Sequence, residues 1–320
     1  MGFDIALVLA GLVGLYFGGE WLVTGASRIA LRFKVPALVI GLTIVAVGTS
    51  APELFVSVQA ALSGQQGLSL GNVIGSNIAN IGLILGFSGM ISVVAVKNSL
   101  VRREIPILIF ITLFASALTL DGQVSRLDGL LLLLGFVAFN YFFYTVAQNS
   151  DEEVDIEVPA EEDLKPLKNS VWVDVAYLVT GSVLLVIGSR LMVIGATSLA
   201  EAIGVSDLVI GVTIVAFGTS LPELATSITA ILKKEDDIAI GNVIGSNAAN
   251  LLLVLGATAF IRDIEVGATD LSIVEYLVMI GFTLLLLPFA RDRQLSRLES
   301  ALFLGAYFAF IGYSFISPSG

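Results

Sequence analysis

The 320-residue sequence contains no cysteine and no histidine. The first absence rules out disulfides as staples. Together they remove the thiolate and imidazole ligands on which most transition-metal sites depend, leaving hard, oxygen-bound cations as the metals such a chain can hold. Charge is scarce as well: 13% of residues are charged against 56% hydrophobic, and mean hydropathy is +0.95. That balance excludes an ordinary soluble domain. The net charge of −11 is concentrated in one segment, DEEVDIEVPAEED at 151–163, and the remainder is nearly balanced. The segment lacks the D-x-[DN]-x-[DN]-G order of an EF-hand and reads as a solvated charge run.

What is present is long apolar runs. Most approach or exceed the roughly 20 residues that cross about 30 Å of hydrocarbon, too long and uniform for barrel strands. Ten spans are expected, near 3–31, 37–62, 68–92, 103–120, 126–147, 171–200, 207–232, 238–261, 271–290 and 297–317. The fold class is therefore an all-α polytopic membrane protein. No charged n-region with a short apolar core and cleavage site opens the chain, so the first run is read as a span rather than a signal. Arg190 falls inside the sixth run, where it either snorkels along a tilted helix or marks an earlier helix end.

Lys and Arg set the orientation. Arg28, Arg32 and Lys34 follow span one, Lys97, Arg102 and Arg103 span three, and Lys165 and Lys168 span five. Lys233 and Lys234 follow span seven, and Arg291, Arg293 and Arg297 span nine, while alternate loops hold little beyond Arg126 and Arg262. Both termini are thus expected outside the cell and the acidic segment inside.

The chain repeats itself. GLTIVAVGTSAPELFVSVQAAL (41–62) aligns with GVTIVAFGTSLPELATSITAIL (211–232), and GNVIGSNIANIGLILG (71–86) with GNVIGSNAANLLLVLG (241–256), at one offset of about 170 residues. About 26 of 46 aligned positions are identical, and QVSRLDG (123–129) echoes as QLSRLES (294–300). An odd number of spans per half makes the second copy enter the membrane from the opposite side, an inverted repeat. The expected organisation is a five-helix repeat over 1–147, an acidic cytoplasmic linker over 148–170, and a second five-helix repeat over 171–320.

Pro52 has no N–H, so the carbonyl of Gly48 loses its helical donor and the turn around Ala46 and Thr49 loosens. At membrane depth a freed carbonyl needs a partner, and a bound cation is one. Thr49 and Ser50 add hydroxyl oxygens and Glu53 a carboxylate; the second copy supplies Ala216, Thr219, Ser220, Pro222 and Glu223. Two intramembrane carboxylates mark an ion pathway or a proton relay and are expected to meet near the midplane. Such a site suits calcium, or sodium of nearly the same size, better than magnesium, which demands an octahedral cage. Ser76 and Asn80, with Ser246 and Asn250, are four residues apart on one helix face and offer neutral oxygens or interhelical hydrogen bonds. Gly71/Gly75 and Gly241/Gly245 read as small-residue packing faces.

G-T-S-x-P-E followed by G-N-x-x-G-S-N, in two inverted copies, resembles the α-repeats of the cation/calcium antiporter superfamily, and prokaryotic sodium/calcium exchangers in particular. The resemblance implies a core of spans two, three, seven and eight, against which the long tilted spans one and six slide. It implies calcium ligation by the carboxylates of Glu53 and Glu223 and the carbonyls of Thr49 and Thr219. Flanking sodium sites would use the carbonyls of Ala46 and Ala216, the hydroxyls of Ser50, Ser220, Ser76 and Ser246, and the same glutamates. Asn80 and Asn250 would sit at the centre; several exchangers carry aspartate in place of Asn250. The expected activity is exchange of Ca²⁺ for Na⁺ by alternating access, with a proton-coupled exchanger and a gated cation channel as alternatives. No enzymatic activity, cofactor or nucleic-acid partner is expected, only the two ions and the lipid bilayer.

Overall fold

The computed structural model describes residues 1–149, 170–203, 216–266 and 272–316. The expected linker 148–170, apart from 148, 149 and 170, and the opening of the seventh expected span, 207–215, lie outside the described residues. Within them the regular structure is helical apart from four two-residue strands.

In chain order the helices are α1 (Gly2–Phe33), α2 (Ala37–Thr49), α3 (Ala51–Leu62), α4 (Gln66–Ile91), α5 (Ile105–Ala117) and α6 (Arg126–Asn149). They continue as α7 (Val171–Ala202), α8 (Ala216–Thr219), α9 (Leu221–Leu232), α10 (Asp236–Ile261), α11 (Ile273–Phe289) and α12 (Arg297–Ile316). The strands are β1 (Val94–Ala95), β2 (Gln123–Val124), β3 (Ile264–Glu265) and β4 (Gln294–Leu295). The echoed QVSRLDG and QLSRLES have a local cause: in each, Gln and the next residue form the strand, and Ser with the acid three residues on makes reciprocal helix-start bonds. Ser125 N–H donates to Asp128 at 2.8 Å and Ser296 N–H to Glu299 at 2.8 Å, while each serine hydroxyl accepts from the acid's own N–H at 3.3 Å.

Two compact units emerge, residues 1–49 with 139–242, and residues 50–138 with 243–320, so each draws on both halves of the sequence. In the first, α1 and α7 pack antiparallel along their lengths. Each has 32 residues, about 48 Å of helix, which exceeds the hydrocarbon thickness and requires tilt in a bilayer. Glycines seven residues apart allow the approach: a Cβ on Gly11 would lie 2.7 Å from the carbonyl of Gly188, and one on Gly18 2.8 Å from the backbone nitrogen of Leu185. Fully buried Asp174 is held by Arg32 at 2.7 Å, and Arg28 lies over the Tyr177 ring at 4.8 Å. Arg190 is exposed, and α7 runs past it to Ala202, so the helix does not end there.

In the second unit α3 packs on α4 and on the later part of α10, α12 lies along α4, and α5 packs on α11. Two antiparallel clasps tie loops together, Val94 opposite Leu295 and Gln123 opposite Glu265. Burial divides the helices: α4 and α10 are mostly enclosed, whereas α1, α6 and α7 expose apolar side chains such as Phe3, Tyr16, Leu134 and Val183. Uniformly apolar helices that remain exposed have their solvent in lipid.

Candidate functional site

The proline in each repeat does not sit inside a continuous helix. α2 stops at Thr49 and α3 starts at Ala51, the axes bending by 45°, and Pro52 occupies the first turn of α3, where no N–H is required. The second copy is the same: α8 ends at Thr219, α9 begins at Leu221, and Pro222 lies in its first turn. The hinge residues Ser50 (φ −80°, ψ 7°) and Ser220 (φ −89°, ψ 4°) share one conformation. Each break therefore places a glutamate, Glu53 or Glu223, in the first turn of a new helix. There the partial positive charge of the helix end favours a carboxylate. Both glutamates are fully buried.

In the first unit, Ala46, Thr49, Ser220 and Glu223 are enclosed, Thr219 is nearly so, and Ala216 opens α8. The carbonyl of Gly218, which Pro222 deprives of a helical donor, is taken by the hydroxyl of Ser189 on α7. The side chain of a neighbouring helix thus supplies that carbonyl with one donor. Ser220 N–H donates to the carbonyl of Phe217 at 3.1 Å. Asn242 Nδ2 donates to the backbone carbonyl of Glu223 at 3.3 Å and to Ser227 Oγ at 3.1 Å, and its Oδ1 accepts from Thr49 Oγ1 at 3.0 Å.

The second unit holds Ser50, Glu53, Ser76, Asn80, Ser246 and Asn250, all buried. Asn72 repeats the pattern of Asn242, donating to the carbonyl of Glu53 at 3.3 Å and to Ser57 Oγ at 2.9 Å. Asn80 and Asn250 each open a π-helical turn, Asn80–Leu85 and Asn250–Val254, a local widening that recurs at functional sites. Asn80 Nδ2 donates to Asn247 Oδ1 at 3.0 Å, leaving Asn80 Oδ1 without a hydrogen-bond partner among the described residues. Asn250 has neither its oxygen nor its nitrogen paired among them. A buried amide oxygen with no donor costs free energy, and a cation is a natural complement.

Asn77 behaves differently. Its amide bonds back to the carbonyl of Val73 at 2.7 Å, within its own helix. The residues missed in the sequence are Asn72, Asn242, Ser57, Ser227 and the bonding role of Asn247. A signal existed: the spacing of four that joins Ser76 to Asn80 reaches back to Asn72, and Ser57 and Ser227 stand four residues after Glu53 and Glu223.

Buried carboxylates at the starts of interrupted helices, and buried amide oxygens without partners among the described residues, in an apolar helical protein define a polytopic ion transporter. The sodium/calcium exchanger protein family matches residues 3–145 and 173–316, and the chain belongs to it. The putative antiporter CaxA of Alkalimonas amylolytica is 39% identical over 97% of each chain. The sodium/calcium exchanger MaX1 of Methanosarcina acetivorans is 32% identical over 96% of this chain and 97% of its own. Among solved structures, the sodium-calcium exchanger NCX_Mj soaked with Na⁺ and Ca²⁺ superposes with a TM-score of 0.84 at 34% identity, covering 97% of this chain and 98% of that one.

Proposed function

We propose that the protein exchanges Ca²⁺ for Na⁺ across the cell membrane by alternating access, as a secondary active antiporter. The observation that carries this reading is the duplicated pair, Glu53 and Glu223, each buried in the first turn of a helix that begins at a break. A dehydrated carboxylate needs a cation or a proton, and the neighbouring oxygens are neutral. Two negative charges balance one Ca²⁺ or two Na⁺ equally, which is the condition for the two loads to compete. The carboxylates of Glu53 and Glu223 and the carbonyls of Thr49 and Thr219 are the calcium ligands. The carbonyls of Ala46 and Ala216, the hydroxyls of Ser50, Ser220, Ser76 and Ser246, and the glutamates bind sodium. Asn80 and Asn250 contribute amide oxygens without adding charge.

The organisation proposed is two inverted five-helix repeats, 1–147 and 171–320, joined by a cytoplasmic linker over 148–170, with both termini outside. Pairing of the loops supports the sidedness: β1 and β4 lie on loops assigned to the inside, β2 and β3 on loops assigned to the outside, and each pairs with its own kind. The test is calcium uptake into proteoliposomes under Na⁺, K⁺ or pH gradients imposed one at a time. Uptake should follow an outward sodium gradient. Uptake driven by the pH gradient alone would make the counter-ion H⁺, and calcium flux without any trans ion would make the protein a channel.

A further inference from the structure

Helix α1 packs on both α7 and α9, but by different means. Toward α7 the contact is backbone on backbone at successive glycines, with no side chain between the helices that could swing aside. Toward α9 a single glycine makes the close approach: a Cβ on Gly19 would lie 2.7 Å from Thr229 Oγ1 and 3.1 Å from the carbonyl of Ala225. The rest is polar side chains. Lys233 Nζ pairs with Glu20 Oε1 at 2.6 Å and donates to Thr24 Oγ1 at 2.8 Å, and Ser27 Oγ donates to Glu235 Oε1 at 2.8 Å. Glu20, Thr24 and Ser27 share one face of α1, so one stripe meets the turn joining α9 to α10. Contacts of this kind break without moving backbone.

The repeat makes the set one-sided. At the offset of about 170 residues, Glu20 corresponds to Arg190, Lys233 to Ser63 and Glu235 to Gln65. The copy of the ion pair is an arginine and a serine, which cannot form one. An antiporter built from inverted repeats reaches its second state by exchanging the roles of the two repeats. An interaction that one state has and its exchanged counterpart lacks shifts the population toward the first. We propose that Glu20–Lys233, reinforced by Ser27–Glu235, is a latch that holds α1 on α9 and keeps the ion site closed toward the α9–α10 turn. In the orientation proposed above, that face is cytoplasmic. The latch deepens the proposed function and rests on its alternating access. α9 carries Glu223 in its first turn and runs to that face, so α1, set against Ala225 and Thr229, covers the stretch between the carboxylate and the turn.

The cysteine-free chain allows a direct test, with Thr229→Cys as reporter in proteoliposomes and an impermeant maleimide applied at the face that carries the turn. Adding Glu20→Gln should speed labelling roughly two- to fivefold, the scale of one partly exposed ion pair. Adding Ser27→Ala to that should speed it by a further three- to tenfold or so, the worth of one net hydrogen bond. Lys233→Met should act like Glu20→Gln and add less than about twofold to it, whereas Lys233→Arg, which keeps the charge, should label within about twofold of the reporter alone. Lys233→Met also serves should Glu20→Gln fail to purify as a monodisperse protein. Half-saturating Ca²⁺ for exchange at that face should fall by about the same factor in Glu20→Gln, because a larger share of the protein is open there. At the opposite face it should change less than about twofold, whereas general loosening of the fold moves both. Calcium flux that needs no trans ion overturns alternating access, and the latch with it. Obligatory exchange with labelling unchanged when both contacts are removed, or with a rise that Lys233→Arg shares, overturns the latch alone.

Discussion

At the scale of single residues, the chemistry concentrates on two acids and a set of neutral oxygens. Glu53→Gln and Glu223→Gln keep shape and burial but remove a charge from a dehydrated position, and each is expected to lower calcium transport at least about a hundredfold, the scale of an uncompensated charge loss. Calcium uptake near the wild-type rate in either variant contradicts the assignment. Asn250 tests the neutral part. Its amide is buried and engages no partner among the described residues, so Asn250→Ala should reduce transport only moderately. Asn250→Asp should make calcium binding more sensitive to acid, since a third carboxylate competes for protons when the ion is gone. Binding isotherms across pH for the three proteins decide between an auxiliary oxygen and an essential one.

At the scale of elements, the glycine stripe of α1 is a packing device with a sharp steric limit. A Cβ on Gly18 would approach the Leu185 nitrogen of α7 to 2.8 Å, and backbone cannot yield as a flexible side chain can. Gly18→Leu should therefore cost about 1–3 kcal/mol or more by overpacking and lower the unfolding temperature. Gly305→Leu on α12, where nothing lies within 4 Å of the added carbon, should leave it nearly unchanged. The turn between α9 and α10 supplies a titration. Burial pushes the Glu235 carboxyl up, and Asp237 and Asp236 add to this, while the Ser27 hydroxyl (2.8 Å from Glu235 Oε1) and Lys233 oppose it. A raised carboxylate means the folded protein binds the proton more tightly than the unfolded one. Stability is thus lost as pH rises from the unfolded value through the folded one. Glu235→Gln keeps an oxygen for Ser27 and should gain stability over wild type above that window, with the difference closing in acid. Thermal unfolding at several pH values measures it.

At the scale of the whole molecule, the absence of native cysteine provides a clean background for mapping sidedness. Gln65 and Asn98 are both exposed, on loops assigned to the outside and inside respectively. A membrane-impermeant maleimide should label Gln65→Cys in intact cells and Asn98→Cys only after permeabilisation. The reverse pattern would invert the proposed orientation. Labelling of both from outside would break the assignment of spans between them.

Much of this protein is determined by local sequence properties. Apolar length and missing charge dictate helices in a bilayer, because no backbone polar group can stay unpaired there. Pro52 and Pro222 each interrupt a helix, so the breaks and the two buried glutamates were readable from single strings of residues, while the Ser-x-x-acid caps at Ser125 and Ser296 were read there only as an echo of the repeat. The hydrogen-bond partners were not. Thr49 and Asn242 are 193 residues apart, Asn80 and Asn247 167 apart, and Ser189 lies on a different helix from the Gly218 carbonyl it satisfies. Spacing tells which face of a helix a side chain occupies but not what packs opposite. Hence the GN that opens each GNVIGSN motif was legible only as two conspicuous letters until tertiary packing set Asn242 between Thr49 and Glu223. The same packing gave the carbonyl freed by Pro222 a donor that its own string of residues does not contain, the Ser189 hydroxyl of α7.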